Sequence, residues 1–219
     1  KILKKIGDDA YANESVNKIK KSLQGITKTN YGEVFNKLFL PAVLTGIGLA
    51  VFQQWCGSNV IFNYAPKIFA SIGASQDDQL MQTVFIGGIN LVFTILAMLL
   101  VYKAGGKPVM LIGAGGLTVL YIIIVQLLAT NSPSVSWFMM AAIGTYAMSL
   151  APVTWVLIAE IFPTKIRSAA ISIATIFLWA AYFLLVFTFP PLFEKFKDHT
   201  FYIYAAICAL GFVFVLVKV

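Results

Sequence analysis

Residues 79–102 read Gln-Leu-Met-Gln-Thr-Val-Phe-Ile-Gly-Gly-Ile-Asn-Leu-Val-Phe-Thr-Ile-Leu-Ala-Met-Leu-Leu-Val-Tyr, without one charged side chain. A helix of about 20 such residues crosses the hydrocarbon of a bilayer, so the stretch reads as a membrane span. Working outward, comparable runs occupy residues 37–69, 108–129, 135–160, 167–190 and 200–218, with short polar connections between them. The pattern predicts six transmembrane helices. Composition agrees: 59% of the 219 residues are hydrophobic, 11% are charged, and the mean hydropathy is +0.85. That balance excludes an ordinary water-soluble domain and makes the lipid bilayer the natural partner of the chain.

The net charge of +7 does not point to nucleic acid, because the basic residues lie in an N-terminal segment and in loops beside apolar runs. Short cytoplasmic loops carry the excess of lysine and arginine. Placing the N-terminal segment inside leaves only Lys67, Lys195 and Lys197 of the 16 Lys and Arg residues on the outer side. Both ends of this multi-pass chain are therefore expected in the cytoplasm, with the bundle in the cell's inner (plasma) membrane. Residues 1–36 are polar, with Ile2, Ile6, Tyr11, Val16, Ile19 and Leu23 at near-helical intervals among lysines and with Gly25 suited to a stop. They predict amphipathic helices on the membrane surface, leading into a bundle over residues 37–219. Cys56 and Cys208 fall inside apolar runs and imply no disulfide framework. The chain starts at Lys1 without methionine or an apolar leader, and it stops at Val219 at the edge of an apolar run, so it is expected to be a piece of a longer protein.

A polar side chain in hydrocarbon is costly unless it faces a partner or a wet cavity, which makes polar clusters inside spans functional candidates. The densest is Gln53-Gln54-Trp55-Cys56-Gly57-Ser58-Asn59, followed by Asn63-Tyr64-Ala65-Pro66. On an unbroken helix, Asn59 and Asn63 point away from Gln53, whereas a break near Gly57 and Ser58 brings the amides together. Discontinuous helices of that kind form substrate sites near the midplane of transporters; the alternative is that the amides only hold helices together. In the fourth span Pro152 frees the Met148 carbonyl, so a bend is expected there with Trp155 beside it. Asn90, between the Gly87-Gly88 pair and Thr94, fits cavity lining and helix packing equally. Trp55, Trp137 and Trp179 read as anchors or packing, and His199 as a solvated loop residue. There is no phosphate-binding glycine loop, no metal-ligand cluster and no nucleophile beside a base, so no catalytic residue, metal or cofactor is expected.

In order along the chain, Gln53-Gln54-x-x-Gly57-x-Asn59, Tyr64-Ala65-Pro66, Gly87-x-x-Asn90-x-x-x-Thr94, Pro152-x-x-Trp155 and Ala159-Glu160-Ile161-Phe162-Pro163 with Arg167 resemble the sugar porter family of the major facilitator superfamily. The resemblance implies an all-α membrane protein whose six helices form the C-terminal half of a twelve-helix fold, with residues 1–36 as the end of a cytoplasmic linker. It implies transport of a monosaccharide, hexose or pentose, between this bundle and a missing N-terminal six-helix half. Gln53, Gln54 and Asn59 would bond sugar hydroxyls, Trp155 would stack on or bond to the sugar, and Asn90 would be a weaker ligand. Glu160, Arg167 and Lys107 would belong to a charge network that holds the inner gate shut. Protons are co-transported in the proton-linked members, whose coupling acid lies in the other half.

Departures accompany the likeness. The family's acid-x-x-Gly-Arg-Arg/Lys loop stands here as Tyr102-Lys103-Ala104-Gly105-Gly106-Lys107, and the fifth span has Leu178 and Tyr182 where relatives carry polar groups that reach the sugar. The broken charge pattern keeps open a non-transporting sugar sensor, or a decayed or engineered half. A structural scaffold that binds no sugar is a third reading.

Overall fold

A computed structural model describes residues 13–18, 31–71, 73 and 75–219. Most of the expected amphipathic segment, Gly25 included, lies outside these residues. Within it, residues 13–18 are helical, with Lys18 paired to Glu14 at 2.7 Å, and Tyr31–Val34 forms a single turn. The bundle then comprises α1 (Leu40–Trp55), α2 (Ser58–Ser71), α3 (Gln76–Ala104), α4 (Gly106–Ala129), α5 (Val135–Met148), α6 (Leu150–Ile161), α7 (Arg167–Phe196) and α8 (Thr200–Lys218). No strand occurs among the described residues.

These helices make five long apolar stretches, Leu40–Ser71, Gln76–Ala104, Gly106–Ala129, Val135–Ile161 and Arg167–Lys218. The last has 52 residues. At 1.5 Å per residue that is about 78 Å, more than twice the roughly 30 Å of hydrocarbon. A 3-10 turn at Lys197–His199, with Lys197 at φ 48°, divides it into two crossings, which makes six. Local chemistry sets the other boundaries. The Ser75 hydroxyl accepts from the Asp78 amide at 3.2 Å and caps α3, whose first turn also carries Asp77 and Asp78 against the positive end of the helix dipole. Gly105 at φ 81° turns α3 directly into α4.

Polar rungs fix the relative directions. Lys107 Nζ, at the start of α4, donates to the Leu216 carbonyl near the end of α8 at 3.2 Å, and Gln126 Nε2 donates to Tyr202 Oη at 2.8 Å, so α4 and α8 run antiparallel. The α1–α2 pair and α7 run parallel, joined by Trp55 Nε1 to the Ala181 carbonyl (3.1 Å), Tyr64 Oη to the Val186 carbonyl (2.9 Å) and Lys67 to Glu194 (3.3 Å). The Tyr64 rung has a cause in the sequence. Pro190 has no N–H to pair with Val186, and the Tyr64 hydroxyl supplies the missing donor while its ring packs on Phe189 at 4.8 Å.

Two crossings are broken. Gly57, at φ 86°, separates α1 from α2, and a Cβ there would lie 2.6 Å from the Tyr204 ring, so conformation and space both require glycine. The fourth crossing breaks at Ser149, with φ −127° and ψ −85°, three residues ahead of Pro152 and beside the carbonyl that proline frees. Ser149 Oγ donates to the Thr145 carbonyl at 2.5 Å, and Gly113 of α4 leaves room for that hydroxyl, since a Cβ would overlap it.

Candidate functional site

The break at Gly57 turns α2 so that its amides face those at the end of α1. Gln53 and Gln54 are both buried, an unusual place for two consecutive amides inside a membrane bundle. Gln53 Nε2 donates to Tyr146 Oη of α5 at 2.5 Å, and the Tyr146 hydroxyl also meets the Asn59 side chain. Asn59 Nδ2, half-buried on α2, donates to Gln54 Oε1 at 2.5 Å. One turn on, Asn63 Nδ2 donates to the Asn59 carbonyl at 2.7 Å, and Tyr182 Oη of α7 donates to Asn63 Oδ1 at 3.3 Å. The result is a polar chain from α5 through α1 and α2 to α7. Its last amide, Asn63, is exposed, so this face of the bundle is open.

Two hydrogen-bonding positions are left over. Gln53 Oε1 is buried without a donor, and Gln54 Nε2 makes no bond among the described residues. A buried unpaired acceptor costs about 1–3 kcal/mol. Beneath the chain, Ser58 Oγ lies 3.3 Å from Tyr121 Oη, and the two buried thiols of Cys56 and Cys208 bond to the carbonyls of Gln53 and Cys56.

Trp155 stands on α6 one turn past Pro152, 41% exposed. Asn90 is half-buried on α3, where its carbonyl accepts from Thr94 Oγ1 at 2.7 Å. Among the described residues no hydrogen bond joins either of them to the amide chain. Glu160 is exposed at the end of α6, Arg167 Nε donates to the Phe162 carbonyl at 3.1 Å, and Lys107 holds the end of α8. Among the described residues, an ion pair at this end of the bundle joins Lys165 and Glu33 at 3.0 Å. Tyr146 is a polar member of the site that the sequence reading did not single out, and Asn63 one that stood in its polar cluster without an assigned sugar contact. The signal for Asn63 was its place one turn after Asn59, whereas Tyr146 had none beyond a hydroxyl ahead of a broken helix. Leu178, counted among the positions facing the sugar, is only 3% exposed and packs inside the bundle, while Tyr182, one turn further, reaches Asn63. Trp55 is tied to the Ala181 carbonyl, and Trp137 is exposed.

Comparison with known proteins gives a uniform picture. The family model described as "Sugar (and other) transporter" matches residues 1–219. The D-xylose-proton symporter of Escherichia coli is 39% identical over 191 residues, which is 86% of this chain and 38% of the relative. The arabinose-proton symporter of Bacillus subtilis is 33% identical, over 98% of this chain and 47% of its own length. Among solved structures, a double-tryptophan variant of XylE superposes with a TM-score of 0.84 at 33% identity, over 99% of this chain and 47% of that one. The proton:xylose symporter XylE bound to 6-bromo-6-deoxy-D-glucose superposes with a TM-score of 0.80 at 35% identity, over 98% of this chain and 47% of that one. The chain thus spans about half the length of these relatives or less.

Proposed function

The chain belongs to the sugar (and other) transporter family, and on that premise we propose that it forms one wall of a pathway that moves a monosaccharide, hexose or pentose, by alternating access. The observation that carries this reading is the gathering of four amides at the Gly57 break. Amides donate and accept at once, as replacing water around a polyhydroxylated ring demands. Gln54 Nε2 is a donor in search of an acceptor, and Gln53 Oε1 is an acceptor that a sugar hydroxyl reaches once its cover shifts. Trp155 supplies an aromatic wall with an indole donor, and Asn90 a further, weaker contact. Discontinuous spans such as α1–α2 and α5–α6 are the usual carriers of midplane sites. The opposite wall is a second six-helix bundle, which also decides whether protons accompany the sugar. The positive-inside pattern puts both ends of this segment in the cytoplasm, residues 1–36 as a linker and residues 37–219 as the bundle. Glu160, Arg167 and Lys107 lie at that end, where the inner gate would close.

Equilibrium binding of labelled hexoses and pentoses to the full-length protein tests the site. Losing one neutral hydrogen bond costs about 0.5–1.5 kcal/mol, so Gln54→Ala weakens binding several-fold to tenfold. Trp155→Ala has at least as large an effect. If both variants bind with unchanged affinity and unchanged melting temperature, the amides return to a helix-packing role.

One observation favours a second reading. Tyr102, where relatives carry an acid, is 90% exposed, and Glu160 has no ion-pair partner among the described residues, so the inner gate has few charged contacts. A sensor would bind sugar without exchanging it across a membrane. Counterflow in liposomes separates the two, because only a transporter shows it.

A further inference from the structure

Three hollows on the surface of the bundle follow one another along α1 and α8, the first also touching Ile161 of α6 and the third α7. At one mouth Lys37 and Lys218 border a hollow of about 760 Å³ lined by Leu44, Thr45 and Phe214. Leu44 and Phe214 also line the next, of about 490 Å³, which runs past Gly48 and Val51 to Trp55 and Ile207. Trp55 and Ile207 in turn border a third, of about 610 Å³, that ends at Lys195. From Leu44 to Trp55, α1 rises about 16 Å, half of the roughly 30 Å of hydrocarbon. The first two hollows therefore have the length of one leaflet.

Charge distinguishes this groove from an ordinary lipid-facing crevice. Lys37 and Lys218 stand at its mouth, and no carboxylate lines either of the first two hollows. The cavity at the far end, between α2, α4 and α7, instead mixes Lys67 and Lys197 with Glu194 and Asp198. Acyl chains are as apolar as the leucines they meet, so the groove walls alone select no lipid. Two ammonium groups without a competing acid do select, because each basic residue at a membrane surface favours anionic headgroups.

We propose that the groove from Lys37 and Lys218 to Trp55 is a binding site for one anionic glycerophospholipid of the adjoining leaflet. Its phosphate sits between the two ammonium groups, and one acyl chain follows Leu44, Val51 and Leu210 towards Trp55. The site needs nothing from the sugar pathway, so its test reads lipid and not transport. Full-length protein with Trp55 as the remaining tryptophan of this bundle (Trp137, Trp155 and Trp179→Phe) is placed in nanodiscs. The discs contain a trace of phosphatidylglycerol or phosphatidylethanolamine with brominated acyl chains, which quench indole fluorescence on contact. Brominated phosphatidylglycerol quenches Trp55 at lower mole fraction than brominated phosphatidylethanolamine. Lys37→Gln and Lys218→Gln each lower that preference about fivefold, added salt weakens it, and Lys195→Gln leaves it intact. Equal quenching by the two lipids overturns the proposal, as does a preference that survives the Lys37→Gln/Lys218→Gln pair or disappears with Lys195→Gln.

Discussion

Replacing Gly57 by alanine lowers the melting temperature of the protein by roughly 4–24 °C, at about 2–4 °C per kcal/mol for a chain of this size. Two costs add. An L residue held at φ 86° stores about 1–3 kcal/mol of backbone strain. The new Cβ would also come within 2.6 Å of the ring of Tyr204, which is 2% exposed and packed between Tyr121 and Phe201. Overpacking of that kind costs about 1–3 kcal/mol. The two are separable, because Tyr204→Ala removes the Cγ that lies 2.6 Å from the new Cβ and so eases the contact but not the strain, and Gly57→Ala then costs less in the Tyr204→Ala background than in the parent. A Gly57→Ala protein that melts with the parent shows that the break does not depend on a left-handed residue.

The second large effect is all-or-none. Residues 1–219 reconstituted alone give no sugar flux above empty liposomes, because six crossings supply one wall and alternating access needs one bundle to rock against another. The amide chain ends on an exposed Asn63, and Trp155 is 41% exposed, so this wall encloses nothing by itself. Flux assays with labelled xylose and glucose, beside the full-length protein as the positive control, decide the matter. Saturable flux from this piece alone overturns the half-transporter reading.

The six crossings were legible because a bilayer leaves no ambiguity about a run such as residues 79–102. The two breaks were legible because Gly57 and Pro152 act on the backbone locally, one by admitting a positive φ and the other by removing a donor. The proline's effect surfaced at Ser149, next to the carbonyl it orphans, so the sequence position of a proline and of its break differ by a turn. Side-chain partners were less accessible. Gln53 finds Tyr146 across 93 positions and Asn63 finds Tyr182 across 119, and no local periodicity encodes such distances. Counting along the fifth span brought out Leu178 and Tyr182 together, since residues four apart share a helix face. What separates them is reach: the Tyr182 phenol extends to the rim of the bundle, while Leu178 ends within its packing. The Tyr64 rung was hidden in plain view, because it follows from Pro190 once α2 and α7 are known to lie side by side.

The broken first crossing and the unbroken α7 beside it behave as a jointed rod laid along a rail. Below the joint, α1 is tied to α5 through Gln53 and Tyr146. Beyond it, α2 is fastened to α7 by the Tyr64 hydroxyl and by the Lys67–Glu194 pair, and Trp55 clamps the rail at the joint itself. Since α1 also packs along α7, both arms of the rod rest on the same rail and Gly57 is the joint between them. The bond between Asn59 and Gln54 spans the joint itself. That contact joins two residues of the polar chain, so the geometry that would hold a sugar also fixes how the two arms meet at the joint.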